Sequence, residues 1–181
     1  AARWAVTIFL VTILVSATIS FLSNEIMSRT GIAVAFVILL IIVVVGILFD
    51  IVGVAVTSAD EKPFHSMASR RVAGAREAIM LLRNAEKVSS ICNDVIGDIC
   101  GVVSGAASAT IAARVLTYMT FSWPQLVTLA MSALVAGLTV GGKAVGKTIA
   151  MQSCTEIVFL VGRILAAFGH CKDLLHKKKG G

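Results

Sequence analysis

Apolar residues run almost unbroken through four stretches of this chain, at lengths that suit a bilayer better than a globular core. Trp4 to Leu22 is interrupted only by threonine and serine. Ile32 to Val56 is the second stretch, Val88 to Val115 the third, and Leu126 to Val140 opens the fourth. At about 1.5 Å of rise per residue, a run of about 20 residues crosses the hydrocarbon core. The pattern predicts an all-α membrane protein with four transmembrane helices. The first stretch reads as a span or uncleaved signal anchor rather than a cleavable signal peptide. It is long, and no small-residue cleavage site follows it.

Between the second and third stretches, residues 58–87 change character. Phe64, Met67, Val72, Ala75, Ile79 and Leu82 recur at helical spacing among charged residues. That spacing predicts an amphipathic helix lying on the membrane face. A second amphipathic segment runs from Met151 to Leu175, with Glu156, Arg163, Lys172 and Asp173 spaced along it. It is expected to be a cytoplasmic surface helix rather than a fifth span. Four spans put Arg3, the basic middle segment and the Lys177–Lys179 tail on one side. A fifth would strand the tail outside.

Three of the stretches carry glycine patterns. Gly97, Gly101 and Gly105 form a stripe at four-residue spacing, which would let another backbone approach closely, as would Gly46 and Gly53. The fourth stretch reads as interrupted by Gly141, Gly142, Lys143 and on to Lys147. Pro63 and Pro124 fall at expected helix ends. Tyr118, Phe121 and Trp123 suit interfacial anchors.

Composition narrows the class further. The chain is 57% hydrophobic and 14% charged, with mean hydropathy +0.94, which excludes an ordinary soluble domain. Its net charge of +6 does not point to nucleic acid, because the bases cluster beside the apolar stretches. The middle segment holds six basic residues against four acidic ones, so this face is expected to be cytoplasmic. Both termini then face the cytoplasm, in a multi-pass protein of the cell membrane. Cys92, Cys100, Cys154 and Cys171 show no C-x-x-C pairing and read as small apolar residues. His65, His170 and His176 fall in surface segments and carry no expected metal role.

The candidate chemistry lies inside the apolar stretches. Asp50 sits in the second, and Asp94 and Asp98 lie four apart in the third, with Asn93 beside them. An α-helix would stack Ser90, Asp94 and Asp98 on one face. A carboxylate within a span is costly, and such groups usually meet a cation, a proton or a basic side chain. Two carboxylates one turn apart repel unless something positive lies between them. Hard divalent cations favour oxygen ligands, and Mg²⁺ takes one or two carboxylates with carbonyls and retained water. Asp50 would add a third carboxylate, and the interruption at Gly142 would offer backbone carbonyls. The competing reading pairs Lys143 with one aspartate in a structural salt bridge. Three carboxylates against one ammonium still leave two positive charges wanting.

At this point the residues resemble the transmembrane domain of the CNNM/CorC family of magnesium transport proteins. The family pattern S-A-S-E-T-A-L-T-S resembles the run from Asp50 through Gly53 to Thr57 and Ser58, leading without a gap to Gly74, Ala75 and Arg76. Its N-P-E-R-L-L-S resembles Asn84, Ala85, Glu86, Lys87, Val88, Ser89 and Ser90. Asparagines at helical spacing follow in the family, where this chain has Asn93, Asp94 and Asp98. The family's G-E-x-x-P-K-x-x-A is similar to Gly142, Lys143, Gly146, Lys147 and Ala150. The resemblance covers residues 32–175. Gly53 and Lys143 stand in place of the pattern's glutamates, Gly146 in place of its proline, and Asp50 in place of a serine. Carboxylates have moved rather than vanished.

The resemblance implies a three-span core at 32–181 with a C-terminal juxtamembrane helix, preceded by an additional N-terminal span and loop at 1–31. It implies a homodimer, and no regulation by nucleotide, since the paired CBS domains that often follow have no counterpart. The function expected is a transporter or exchanger of a divalent cation, Mg²⁺ first, with Na⁺ as a possible exchange partner. The expected metal residues are Asp50, Ser90, Asn93, Asp94 and Asp98, modulated by Lys143 and Gly142. No ATP-binding motif occurs, so gradients or membrane potential would supply the energy. The alternatives are a non-transporting membrane sensor or scaffold and an intramembrane aspartyl protease. Val95, Ile96, Gly97 and Asp98 imitate part of a G-x-G-D motif, but the first glycine and the proline-containing motif of such proteases are absent. No enzymatic activity is expected.

Overall fold

The computed structural model describes residues 2–118 and 123–177, all helices and short connections, with no strand among them. In chain order the helices are α1 (Ala2–Arg29), α2 (Ile32–Ser58), α3 (Lys62–Ser69), α4 (Ala75–Arg83), α5 (Ala85–Ser90), a π-helical turn (Ile91–Gly97), α6 (Asp98–Tyr118), α7 (Pro124–Gln152) and α8 (Cys154–Lys177). Four segments are long and apolar enough to cross a membrane: Val6–Ser23, Ile32–Ser58, Ala85–Tyr118 and Pro124–Gln152. They fall where the hydrophobic stretches predict them. The third is longer than expected, because α5, the π turn and α6 run on as one rod. Of the expected anchors, Tyr118 and Trp123 are exposed, whereas Phe121 lies outside the described residues. So do the side chains of Arg3, His170, Cys171 and His176, and the tail beyond Lys177.

The chain divides into two compact units. One comprises residues 1–49 and 93–145. Its core is built on a stripe of α2, Ala35, Leu39 and Val43, packed with Ala107 and Ile111 of α6 and Val135 of α7. Four-residue spacing along α2 keeps that stripe on one face. Helix α1 lies against α6. Gly46 of α2 leaves room for the third span, since a Cβ there would stand 2.8 Å from the Cβ of Cys100. Gly142 of α7 leaves room for the side chain of Ile47.

Two expectations fail within this unit. Helix α7 runs unbroken through 141–147. Three glycines there, Gly141, Gly142 and Gly146, weaken helix propensity by about 1 kcal/mol each. Opening the backbone in hydrocarbon would cost several kcal/mol per unsatisfied group, so the helix persists. The stripe at Gly101 and Gly105 admits no close neighbour either. A Cβ added at either position would meet nothing within 4 Å.

The other unit comprises residues 50–92 and 146–181. Its core gathers Ala55 and Val56 from the end of α2, Phe64 of α3, Ala78 and Leu82 of α4, Ala150 of α7 and Val158 of α8. Phe64 is wholly buried, a contribution of roughly 1.5–3 kcal/mol. The segment expected as one amphipathic helix is two. Asp60 accepts a hydrogen bond from the Lys62 N–H at 3.2 Å and starts α3, with Pro63 in its first turn. The Arg71 N–H then bonds to the Ala68 carbonyl at 3.0 Å and the Val72 N–H to that of Met67 at 3.1 Å. That is a Schellman stop. Its left-handed residue is Arg71, with φ of 56°, a place glycine usually fills. Gly74, with φ of 91°, opens α4, and Asn84 closes it by donating to the Met80 carbonyl at 2.9 Å. Gly162 of α8 packs directly on Gly74 and Ala78.

Candidate functional site

The polar residues of the third span sit where its helical register changes. Ser90 ends α5 and is half-buried. Asn93 and Asp94 lie within the π turn, and Asp98 is the first residue of α6. A π turn closes hydrogen bonds from i to i+5 and occurs mostly as a single turn inside an α-helix, frequently at functional sites. The widened turn changes the angle between successive side chains. The shared α-helical face expected of Ser90, Asp94 and Asp98 therefore does not carry over unaltered. Asp94 and Asp98 are both exposed, whereas Asn93 is half-buried.

The remaining candidates lie on the neighbouring spans. Asp50 of α2 is half-buried, as are Gly142 and Lys143 of α7. Asp50, Ser90, Asn93, Asp94 and Lys143 all take part in polar interactions. Asp50 and Ser90 belong to one compact unit, and Asn93, Asp94, Asp98, Gly142 and Lys143 to the other. Among the described residues, no three His, Cys, Asp or Glu side chains form a group able to hold a metal ion. The three-carboxylate cluster that the sequence suggested is therefore not assembled among the described residues.

Two features escape a reading based on acids and glycines. Arg114, inside the third span, donates from Nη1 to the Thr30 carbonyl at 2.9 Å and ties α6 to the α1–α2 connection. An arginine in an apolar run is itself the signal for such a tether. A cavity of about 180 Å³ also opens between α6 and α7, lined by Gly101, Gly105, Ser104, Ser108, Ser132 and Thr139 among others. Ser104 and Ser108 are buried and donate to the carbonyls of Gly101 and Gly105 at 2.9 and 2.8 Å. Gly101 and Gly105 thus open onto a mainly apolar space edged by a few hydroxyls. Cys92, Cys100 and Cys154 are free thiols, and His65 meets Glu61 on an exposed face at 3.2 Å. The chain matches no family model, no curated protein and no solved structure.

Proposed function

We propose that this chain is a multi-pass carrier of a divalent cation, Mg²⁺ first, rather than an enzyme, with Asp94 and Asp98 as its principal ligands and Asn93 assisting. The observation that carries the reading is the coincidence of Asn93, Asp94 and Asp98 with the π turn of a candidate span. Exposed carboxylates in an apolar helix require a cation, a proton, a basic partner or a water-filled space. A second copy of the chain would supply such surroundings, so the reading includes a homodimer. The motif order that resembles CNNM/CorC transmembrane domains supports the same conclusion, and the reading includes gradient-driven exchange with Na⁺. The basic excess between α2 and α5 supports a cell-membrane topology with both termini cytoplasmic. A cysteine placed at Ser66 should then label only from the cytoplasmic side.

Calorimetry on the purified full chain tests the reading. Wild type should bind Mg²⁺ at millimolar concentration or below, and Asp94→Asn or Asp98→Asn should abolish binding. A wild type blind to Mg²⁺, Ca²⁺ and Mn²⁺ at millimolar concentration overturns the proposal. Flux in proteoliposomes then separates a carrier from a sensor. A second reading rests on Lys143, half-buried and engaged on α7. If its ammonium stands in for the cation, Lys143→Met should create metal binding that wild type lacks. If Lys143 is auxiliary, the same variant keeps it.

A further inference from the structure

Between the end of α3, the start of α4 and Ala166 of α8 lies a cavity of about 460 Å³. Its lining includes Arg71, Arg76 and Glu77, with Ala68, Val72 and Gly74 as smaller walls. Neither guanidinium is engaged by a carboxylate among the described residues. The volume falls within the roughly 300–1,000 Å³ of small-molecule sites. We propose that this cup binds the phosphodiester of an anionic membrane lipid, with Arg71 and Arg76 as its donors.

Three observations converge on that ligand. The first is charge. Two guanidiniums against the Glu77 carboxylate leave a single positive charge, which one phosphodiester neutralises. Free phosphate carries more negative charge than the cup offsets. The second is donor geometry, since the planar guanidinium fork matches phosphate oxygens in pairs. The third is position. Helix α2 ends at Ser58 just before α3, and the third candidate span begins at Ala85 just after α4. Helices of about 12–14 Å therefore tether the cup to span ends on both sides, near the level of lipid phosphates. The surrounding segment carries six basic residues against four acidic ones, as a surface facing an anionic leaflet would. The inference requires the spans to lie in a membrane and is independent of cation transport.

Arg71 makes the test clean. Its φ of 56° is a conformation that glycine adopts freely, so Arg71→Gly should fold at least as well as wild type. Arg76 is exposed, and Arg76→Gln should also fold. Native mass spectrometry of the full chain in dodecylmaltoside would follow retention of phosphatidylglycerol, phosphatidylcholine and inorganic phosphate. Wild type should retain phosphatidylglycerol in preference to phosphatidylcholine. Each variant should lower its affinity for phosphatidylglycerol about tenfold, with phosphatidylcholine unchanged. Thermal melting supplies an independent readout. Arg71→Gly should melt at or above wild type without lipid, yet lose the rise that phosphatidylglycerol gives wild type. Equal retention, or an equal rise, in wild type and both variants overturns the proposal. Displacement of phosphatidylglycerol by millimolar inorganic phosphate overturns the lipid assignment and makes the ligand free phosphate.

Discussion

The third span, Ala85–Tyr118, and the fourth, Pro124–Gln152, both interrupt apolar sequence with residues that disfavour a plain membrane helix. The third holds Asn93, Asp94 and Asp98, and the fourth Gly141, Gly142, Lys143 and Lys147. The third changes its hydrogen-bond register at Ile91–Gly97, while the fourth stays α-helical throughout. Both rods press on neighbouring positions of α2: Cys100 of the third against Gly46, and Gly142 of the fourth against Ile47. The difference teaches how a membrane helix accommodates polar chemistry. A register change re-aims side chains while keeping backbone groups bonded, whereas a break would strand them in hydrocarbon. Glycine alone removes a side chain, and the backbone does not open for it.

The comparison breaks most severely if the π turn is removed. Deleting Val95 should return Ile91–Gly97 to α-helical register and reposition Asp98 relative to Ser90. Mg²⁺ affinity by calorimetry should then fall about 100-fold, with helicity by circular dichroism unchanged. Retained affinity would separate the register change from the function proposed for it.

The packing of the two rods on α2 is the next target. Gly46→Leu drives a side chain into the Cβ of Cys100, which sits close to its own backbone and cannot yield. A loss of about 2–3 kcal/mol is expected by thermal melting in detergent, partly restored by adding Cys100→Gly. Gly142→Ala should cost less, about 1 kcal/mol, because its nearest obstacle is the flexible end of Ile47. Ile47→Val removes that end and should rescue Gly142→Ala in a double-mutant cycle. Failure of the rescue would mean that the fourth span does not meet α2 at this point.

The smallest effect has the opposite sign. Gly141 neighbours Gly142, yet a Cβ there meets nothing. Gly141→Ala should stabilise the chain by about 0.5–1 kcal/mol through helix propensity alone. A destabilised Gly141→Ala would show that this glycine is needed for an approach absent from the single chain.

The spans were legible because runs of Val, Ile and Leu have one meaning at that length, whatever their neighbours. The positions of Asp50, Asp94 and Asp98 were equally plain, since a carboxylate among such residues needs a reason. The π turn was not legible. A helix of either register shows the same residues, and the extra residue per turn leaves no compositional trace. The split at Arg71 was hidden for a related reason. The apolar periodicity from Phe64 to Leu82 survives a Schellman stop, and an arginine there does not announce a left-handed conformation. Gly74 was the available clue. At Gly141 and Gly142 the reading from residues overestimated what glycine does, because propensity is weak beside the demand for bonded backbone.

The contact of Gly162 with Gly74 and Ala78 has a mechanical consequence. Where two helices touch almost backbone to backbone, neither can roll without driving a side chain into the other. A pull on α8 therefore becomes a displacement of α4. Asn84 alone separates α4 from α5, where the third span begins. The crossing thus fixes the rotational setting of α8 on α4, one residue before the foot of that span.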